Sequence, residues 1–189
     1  MSVILFETRR FADKRGWFTE SWNKERFEAL GVCVDFIQDN HSYSRNAGTI
    51  RGLHFQKSPF AQAKLVRCLK GRIFDVAIDL RRDSPTFGKW EGVELTAELG
   101  NQLFIPAGFG HGFLTLEADC EIAYKVDAYY SPDADGGVAW DDPDIAIDWP
   151  LNGLEPVLSD KDSSLPSLRE VELDFTYDGK PLLPLKGLS

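Results

Sequence analysis

Apolar residues recur at every second position through the middle of the chain, and this alternation constrains the fold more than any other feature. It runs from Ile73 to Leu80 and again from Glu91 to Leu99. A period of two is typical of β-strands and predicts one buried face for each strand. Turn residues such as Gly71, Pro85 and Gly100 separate the apolar runs. Many short strands with little helix predict a sandwich, a barrel or a jelly roll.

Only one segment before residue 160 has the pattern of a helix, from Asn23 to Leu30. Asn23 is suited to cap it, and Gly31 is placed to end it. After Pro150 the strand pattern fades, and we interpret the remainder as an irregular C-terminal tail packed on the barrel. With 189 residues the length fits one domain, so we predict a single domain over residues 1–189 with its barrel core at about residues 35–150.

The overall charge and the cysteines exclude several classes of protein. The formal net charge is −9, which argues against a general nucleic-acid binder. Three widely spaced cysteines form neither a disulfide framework nor a metal knuckle, and we predict that they are small buried residues. The first ten residues lack a signal-peptide pattern, and no run reaches the roughly 18 apolar residues of a membrane span. We therefore predict a cytoplasmic protein without a membrane partner.

Positive charge is concentrated in one segment of this acidic chain. No acidic residue occurs between Asp39 and Asp75, whereas that window holds seven basic residues. The remaining sequence has 14 basic and 30 acidic residues, a balance of −16. Such a window is consistent with a site for a phosphate-bearing ligand, because phosphates are bound by Arg and Lys. A solvated basic face that pairs with the acidic remainder is the alternative.

Three polar side chains interrupt predicted strands, two of them inside this window and one later in the chain. His54 lies between Leu53 and Phe55, and Lys64 precedes Leu65, so we predict that both enter one barrel mouth from neighbouring strands. Tyr124 falls on an apolar strand face. From the residues alone it is either a functional phenol or a core aromatic whose hydroxyl is hydrogen-bonded.

From about Phe11 to Pro166, the order of several motifs resembles the dTDP-4-dehydrorhamnose 3,5-epimerase family. The motifs are Arg51-Gly52-Leu53-His54-Phe55-Gln56, Gln62-Ala63-Lys64-Leu65-Val66-Arg67, the run from Pro106 to Phe113, Tyr124-Lys125-Val126 with Tyr129-Tyr130-Ser131-Pro132, Trp140-Asp141-Asp142-Pro143 and Leu158-Ser159-Asp160-Lys161-Asp162. The resemblance implies an all-β, cupin-type jelly-roll barrel with a few short helices. It also implies a homodimer whose subunits exchange edge strands, a nucleotide-sugar substrate and no metal.

The reaction implied by the resemblance inverts C3 and C5 of dTDP-4-dehydro-6-deoxy-D-glucose. By motif match, His54 is the general base and Asp162 orients it, while Tyr124 returns a proton on the opposite face. Lys64 is expected to stabilise the enolate and to lower the pKa of the nearby phenol. Two proton transfers involve no redox step, so no cofactor is expected.

The resemblance also implies binding roles. Arg15, Arg51 and Lys161 match diphosphate or ribose contacts, and His111 matches a sugar contact. The remaining matches are polar contacts from Gln38 and Asn40, a hydrogen-bond acceptor at Glu20 and a thymine-stacking ring at Tyr130. One departure is visible, because Asp135 stands where the family commonly has Glu. With strand exchange, Arg15 and Glu20 are expected to reach the neighbouring subunit's site.

Three alternatives stay open beside this interpretation. A metal-dependent cupin would need all three histidines of the chain and has no His-x-His pair around His54. A non-catalytic sugar-binding domain would be expected to lack at least one of His54, Lys64, Tyr124 and Asp162, all of which are present. An epimerase acting at C3 alone or at C5 alone on another 4-keto-6-deoxy sugar can retain all four.

Overall fold

The computed structural model describes residues 1–188, in which the chain forms thirteen strands and two short helices. The strands are β1 (Ile4–Phe6), β2 (Phe11–Asp13), β3 (Gly16–Phe18), β4 (Gln38–Ser44), β5 (Ile50–Gln56), β6 (Lys64–Lys70), β7 (Arg72–Asp79), β8 (Trp90–Thr96), β9 (Gln102–Ile105), β10 (Phe109–Thr115), β11 (Cys120–Val126), β12 (Asp135–Gly137) and β13 (Gly187–Leu188). The helices are α1 (Lys24–Ala29) and α2 (Asp160–Ser163).

Two sheets face each other and confirm the predicted all-β, cupin-type jelly roll. The six-stranded sheet has the order β13-β1-β9-β6-β11-β4, and the five-stranded sheet has the order β12-β5-β10-β7-β8. Before residue 160 the chain contains one helix, α1, where the sequence predicted it, with the Asn23 side chain accepting a hydrogen bond from the Arg26 N–H. Strands β2 and β3 form a separate hairpin.

The core lies in three layers. Residues such as Val66 and Ile122 from one sheet pack against Ala77 and Phe113 from the other, which fills the space between the sheets. On the outer side of the six-stranded sheet, α1 packs its Phe27 against strand residues. The C-terminal segment, residues 138–182, covers the outer side of the five-stranded sheet with side chains such as Trp149, Leu168 and Phe175.

This third layer corrects the prediction for the strand from Ile73 to Leu80, which we expected to bury one face. Val76 and Ile78 are buried against Trp149 and Phe175 of the C-terminal segment, while Ile73 and Ala77 face the space between the sheets. Because the tail covers the outer face, the strand is buried on both sides.

Two smaller expectations are also corrected. The predicted strand from Glu91 to Leu99 ends at Thr96, where the chain turns into β9. Cys68 and Cys120 are buried as expected, but Cys33 is exposed. Neither of the two helices in residues 1–188 has the length and hydrophobicity of a membrane-spanning segment.

Candidate active site

A polar cavity opens between the two sheets. It comprises two adjoining hollows of about 390 and 280 Å³, which share His54, Lys64, Tyr124 and Lys161 in their walls. His54 comes from β5 of the five-stranded sheet, whereas Lys64 and Tyr124 come from β6 and β11 of the six-stranded sheet. The prediction that His54 and Lys64 lie on neighbouring strands is therefore wrong. They reach the same cavity because their strands belong to facing sheets.

Two glycines allow the backbone to bring His54 beside His111. These histidines are opposite each other in the β5–β10 pairing. Gly52 has a φ of +129°, and a Cβ there would lie 2.5 Å from the Cα of Gly112. Only glycine fits such an approach, which explains its place in the Arg-Gly-Leu-His motif.

His54 and Asp162 form a dyad at the cavity wall. His54 Nε2 lies 2.5 Å from Asp162 Oδ1, and Asp162 is 4% exposed. The Ser159 hydroxyl accepts a hydrogen bond from the Asp162 N–H and so caps α2, which holds the carboxylate against β5. Burial raises the pKa of Asp162, but the hydrogen bonds from His54 and Ser159 outweigh this effect and leave the pKa below its usual value. The carboxylate is thus an ionised acceptor for the imidazole at neutral pH.

A second carboxylate–imidazole pair, which the sequence reasoning missed, stands at the wall of the same cavity, where His111 is a lining residue. His111 Nε2 lies 2.7 Å from Asp75 Oδ1, and both side chains are buried. Burial lowers the pKa of His111, although Asp75 acts in the opposite direction. Asp75 alternates with Val76 along β7 and shares the face of Ile73 and Ala77, which lines the interior of the barrel.

Lys64 is a buried cation in this cavity. Burial lowers its pKa to about 8, while the charges of Asp75 and Asp135 act to raise it. Within residues 1–188 its amine forms no salt bridge. An ammonium group without a fixed carboxylate partner is available to an anionic oxygen in the cavity.

Tyr124 is partly buried on β11, and its pKa differs from the expectation. We predicted that Lys64 lowers it. Instead, burial raises the pKa of Tyr124, and Arg51 is the cation that partly opposes the effect. The phenol therefore holds its proton at neutral pH.

Most of the predicted binding residues line the same cavity. Gln38 donates from Nε2 to Asn40 Oδ1 over 2.8 Å. Arg51 is anchored to Ser44 and to the Tyr43 carbonyl. The predicted binding residues in the cavity walls are Gln38, Asn40, Arg51, His111, Tyr130 and Lys161.

Asp135 links two of these residues. Its Oδ2 accepts a hydrogen bond from the Tyr130 hydroxyl over 3.1 Å and pairs with the Lys161 amine. The shorter side chain at this position therefore still contacts the cavity, through its neighbours as well as by lining the wall.

Arg15 and Glu20 do not line this cavity. Arg15 is 83% exposed at the turn of the β2–β3 hairpin, where it pairs with Asp13. Glu20 pairs with Arg26. In this chain by itself, the two residues are outside the site.

The basic window is divided by the fold. Of its seven basic residues, Arg51 and Lys64 line the cavity, whereas Lys57 and Arg72 pair with acidic residues elsewhere. Lys161, from outside the window, is the further cation of the cavity walls. The window is thus divided between the cavity wall and ion pairs elsewhere, and its role in binding phosphate stays a prediction.

A metal centre finds no support in the arrangement of ligands. In the described part of the chain, no group of three or more His, Cys, Asp or Glu side chains is placed to hold an ion. The absence of a metal requirement stays a prediction.

The sequence of this chain is similar to one family of known proteins over most of its length. Residues 1–170 match the family model for dTDP-4-dehydrorhamnose 3,5-epimerase. A protein of that name from Sinorhizobium fredii is 53% identical over 175 residues, covering 93% of this chain and 89% of the relative.

Two solved structures are also similar. The dTDP-4-dehydrorhamnose 3,5-epimerase of Bacillus anthracis, with TDP and PPi bound, is 55% identical with a TM-score of 0.85, and the match covers 87% of this chain and 93% of that one. The dTDP-6-deoxy-D-glucose-3,5-epimerase of Legionella pneumophila, in complex with dTDP-4-keto-L-rhamnose, is 43% identical with a TM-score of 0.89, covering 94% of each chain. The chain therefore belongs to the dTDP-4-dehydrorhamnose 3,5-epimerase family.

Proposed function

We propose that this protein inverts C3 and C5 of dTDP-4-dehydro-6-deoxy-D-glucose to give dTDP-4-dehydro-L-rhamnose. One observation carries the proposal beyond family membership: an imidazole with a carboxylate partner and a protonated phenol come from opposite sheets into one cavity. Inversion needs a base on one face of the sugar and an acid on the other. The positions of His54 on β5 and Tyr124 on β11, in facing sheets, support these two roles.

The first step is proton abstraction by His54. With Nε2–H donating to ionised Asp162, Nδ1 carries the free lone pair and accepts the proton from C3 or C5. The electron pair of the C–H bond moves to the oxygen of the C4 ketone and forms an enolate. Asp162 then stabilises the imidazolium.

Lys64 stabilises the enolate. Its ammonium group lines the cavity and has no carboxylate partner in the described residues, so its charge is available to the developing oxyanion. In a buried site such an interaction is stronger than in water.

Tyr124 completes the inversion by giving its proton to the carbon from the opposite face. Because burial raises its pKa, the phenol is protonated before the step. Solvent then returns a proton to the phenolate, and His54 releases the abstracted proton to solvent.

The nucleotide end is proposed to lie toward Tyr130 and Lys161. Arg51 and Lys161 supply positive charge for the diphosphate. Gln38 and Asn40 supply amide groups, and Tyr130, 57% exposed at the cavity edge, offers a ring to the base.

The experiment that tests this function is incubation with dTDP-4-dehydro-6-deoxyglucose in deuterated water. NMR should show deuterium at both C3 and C5 and the L-rhamno product. Deuterium at one carbon alone would establish the alternative, a C3-only or C5-only epimerase acting on a nucleotide-linked 4-keto-6-deoxy sugar. The absence of exchange at both carbons would contradict epimerase activity on this substrate. Activity that survives exhaustive EDTA treatment would support the metal-free mechanism.

We also propose a homodimer, because the β2–β3 hairpin is an unusual surface for a monomer. Phe11, Trp17 and Phe18 are each at least 44% exposed on it, and exposed apolar clusters mark interaction sites. Arg15 and Glu20 lie on or beside the same hairpin, outside their own cavity. Light scattering should give about twice the 21.3 kDa chain mass, whereas a monomer at micromolar concentration would contradict the dimer.

A further inference from the structure

Two loops at the cavity mouth present aromatic side chains to solvent. The first mouth loop, residues 57–63, connects β5 to β6, and the second, residues 127–134, connects β11 to β12. Phe60, Tyr129 and Tyr130 are 43%, 65% and 57% exposed. Rings on loops stay in one position only if their main chain is held there.

One buried side chain, that of Gln56, holds the main chain of both loops. Its Nε2 donates to the Phe60 carbonyl over 2.7 Å and to the Tyr129 carbonyl over 3.2 Å. Its Oε1 accepts from the Ser131 N–H over 2.7 Å. Gln56 is 4% exposed, so these bonds form away from bulk water, where an unmade partner is costly.

The bonds to the second loop bracket Tyr130. The carbonyl of the residue before it and the N–H of the residue after it both bond to Gln56. The backbone of Tyr130 is thus held on both sides, and its hydroxyl is held by Asp135.

We propose that Gln56 is a positioning residue for nucleotide binding, which acts by fixing Tyr130 at the cavity edge. The inference rests on the proposed function, in which Tyr130 meets the base. An amide is suited to the role because it supplies two donors and an acceptor in one plane. Glu and Met have side chains of similar length to Gln. A Glu carboxylate cannot donate the two hydrogen bonds to the loop carbonyls, and Met can make none of the three bonds of the amide.

Gln56 also lines the cavity, so a direct contact with the ligand must be distinguished from an effect through Tyr130. A double-mutant cycle makes this distinction. If Gln56 acts through Tyr130, then Gln56→Met should weaken dTDP binding much less in a Tyr130→Ala background than in the wild type.

The experiment measures dTDP affinity by calorimetry for Gln56→Glu, Gln56→Met, Tyr130→Ala and the Gln56→Met/Tyr130→Ala pair. We expect each Gln56 variant to lose about tenfold in affinity, the scale of one base–aromatic stacking contact. The KM for the dTDP-sugar should rise by a similar factor while kcat stays close to wild type.

Asn101→Asp is the matched control. Asn101 is a buried amide, 7% exposed, that accepts from the Thr96 N–H and donates to the Glu94 carbonyl, away from the cavity. The control should lose thermal stability and keep dTDP affinity.

Unchanged dTDP affinity in either folded Gln56 variant, additive effects in the cycle, or a loss confined to kcat would each overturn the proposal. The binding measurement uses dTDP alone. If the wild-type protein binds dTDP without epimerising the sugar while the Gln56 variants lose dTDP affinity, the proposed reaction is refuted and the role of Gln56 is still supported.

Discussion

Asp75 and Asp79 lie four residues apart on the same strand, β7, and both are fully buried, yet their surroundings are opposite. The Asp79 carboxylate accepts hydrogen bonds from the Arg81 guanidinium on both oxygens, at 2.8 Å each. The hydroxyls of Ser84 and Thr86 donate to the same carboxylate. Arg81 also forms a salt bridge with Asp178 of the C-terminal segment. We refer to these five residues as the Arg81 cluster.

Asp75, by contrast, has one bonded oxygen. His111 occupies Oδ1, and Oδ2 is buried without a hydrogen-bond partner in residues 1–188. The charge of Asp75 also acts on Lys64. A buried carboxylate with an unpaired oxygen lowers the free energy of unfolding, because that oxygen has given up its hydrogen bonds to water.

The partners of a buried carboxylate distinguish a structural group from a functional one. In the Arg81 cluster both carboxylate oxygens have partners, so its role is to join β7, the following turn and the tail. Around the cavity, polar atoms remain free for a ligand. Substitutions at the cavity should therefore reduce activity and spare folding, and substitutions in the Arg81 cluster should do the reverse.

The largest effect should come from His54→Ala. Without the base no enolate forms, so epimerisation and solvent exchange of the C3 and C5 protons should both fall, toward the upper end of about 100-fold to 10,000-fold. NMR in deuterated water measures both rates, which are compared per folded molecule because the buried Asp162 carboxylate loses its partner in this variant. Exchange at close to the wild-type rate would show that another residue is the base.

Asp79→Asn should produce the largest loss of stability. Removing one partner of a buried ion pair costs up to about 3 to 5 kcal/mol, because the Arg81 charge remains buried with Asp178 as its remaining carboxylate partner. Denaturant unfolding measures the loss, and kcat per folded molecule should be retained. A variant of unchanged stability but low kcat would contradict the assignment of a structural role to the Arg81 cluster.

Tyr124→Phe should separate exchange from inversion. The ring and its packing remain, but the proton donor is gone, so product formation should fall by about 100-fold or more. His54 can still form the enolate. Deuterium should therefore continue to leave substrate labelled at C5, provided that the abstracted proton exchanges with water before it returns. Normal turnover would remove Tyr124 from the mechanism.

The smallest effect is a shift in pH dependence that tests Asp75 itself. Lys64 is protonated below its pKa of about 8, so activity that depends on its charge should fall as pH rises through that value. Asp75→Asn removes a charge that raises the pKa of Lys64, and the alkaline limb of kcat should move to lower pH. Lys64→Arg should remove the limb, since guanidinium stays charged. An unmoved limb in Asp75→Asn would show that Asp75 does not support the cation.

The local elements were predictable because their causes are local. Asn23 caps α1 and Phe27 is its buried residue, and both facts follow from spacing within the helix. His54 and Asp162, by contrast, are 108 residues apart. Their pairing was predicted from the motif resemblance alone, because no periodicity in the sequence relates positions at that separation.

The rest could not be predicted because it depends on which strands face each other. Alternation placed His54 on a strand and Lys64 on another but could not assign the strands to sheets. Alternation also separates Asp75 from Val76 on the two faces of one strand, but it does not show which face is interior. Gln56 gave no signal of its three loop contacts, because its partners are main-chain groups that any residue supplies.

The cover that the C-terminal segment provides for the five-stranded sheet has a consequence for synthesis. Val76 and Ile78 pack against Val171 and Phe175, which leave the ribosome about a hundred residues later. At the roughly 5 to 20 residues per second of translation, the outer side of β7 stays uncovered for several seconds in the nascent chain. The apolar outer face of β7 is therefore open to other apolar surfaces during that interval, until the tail docks on it.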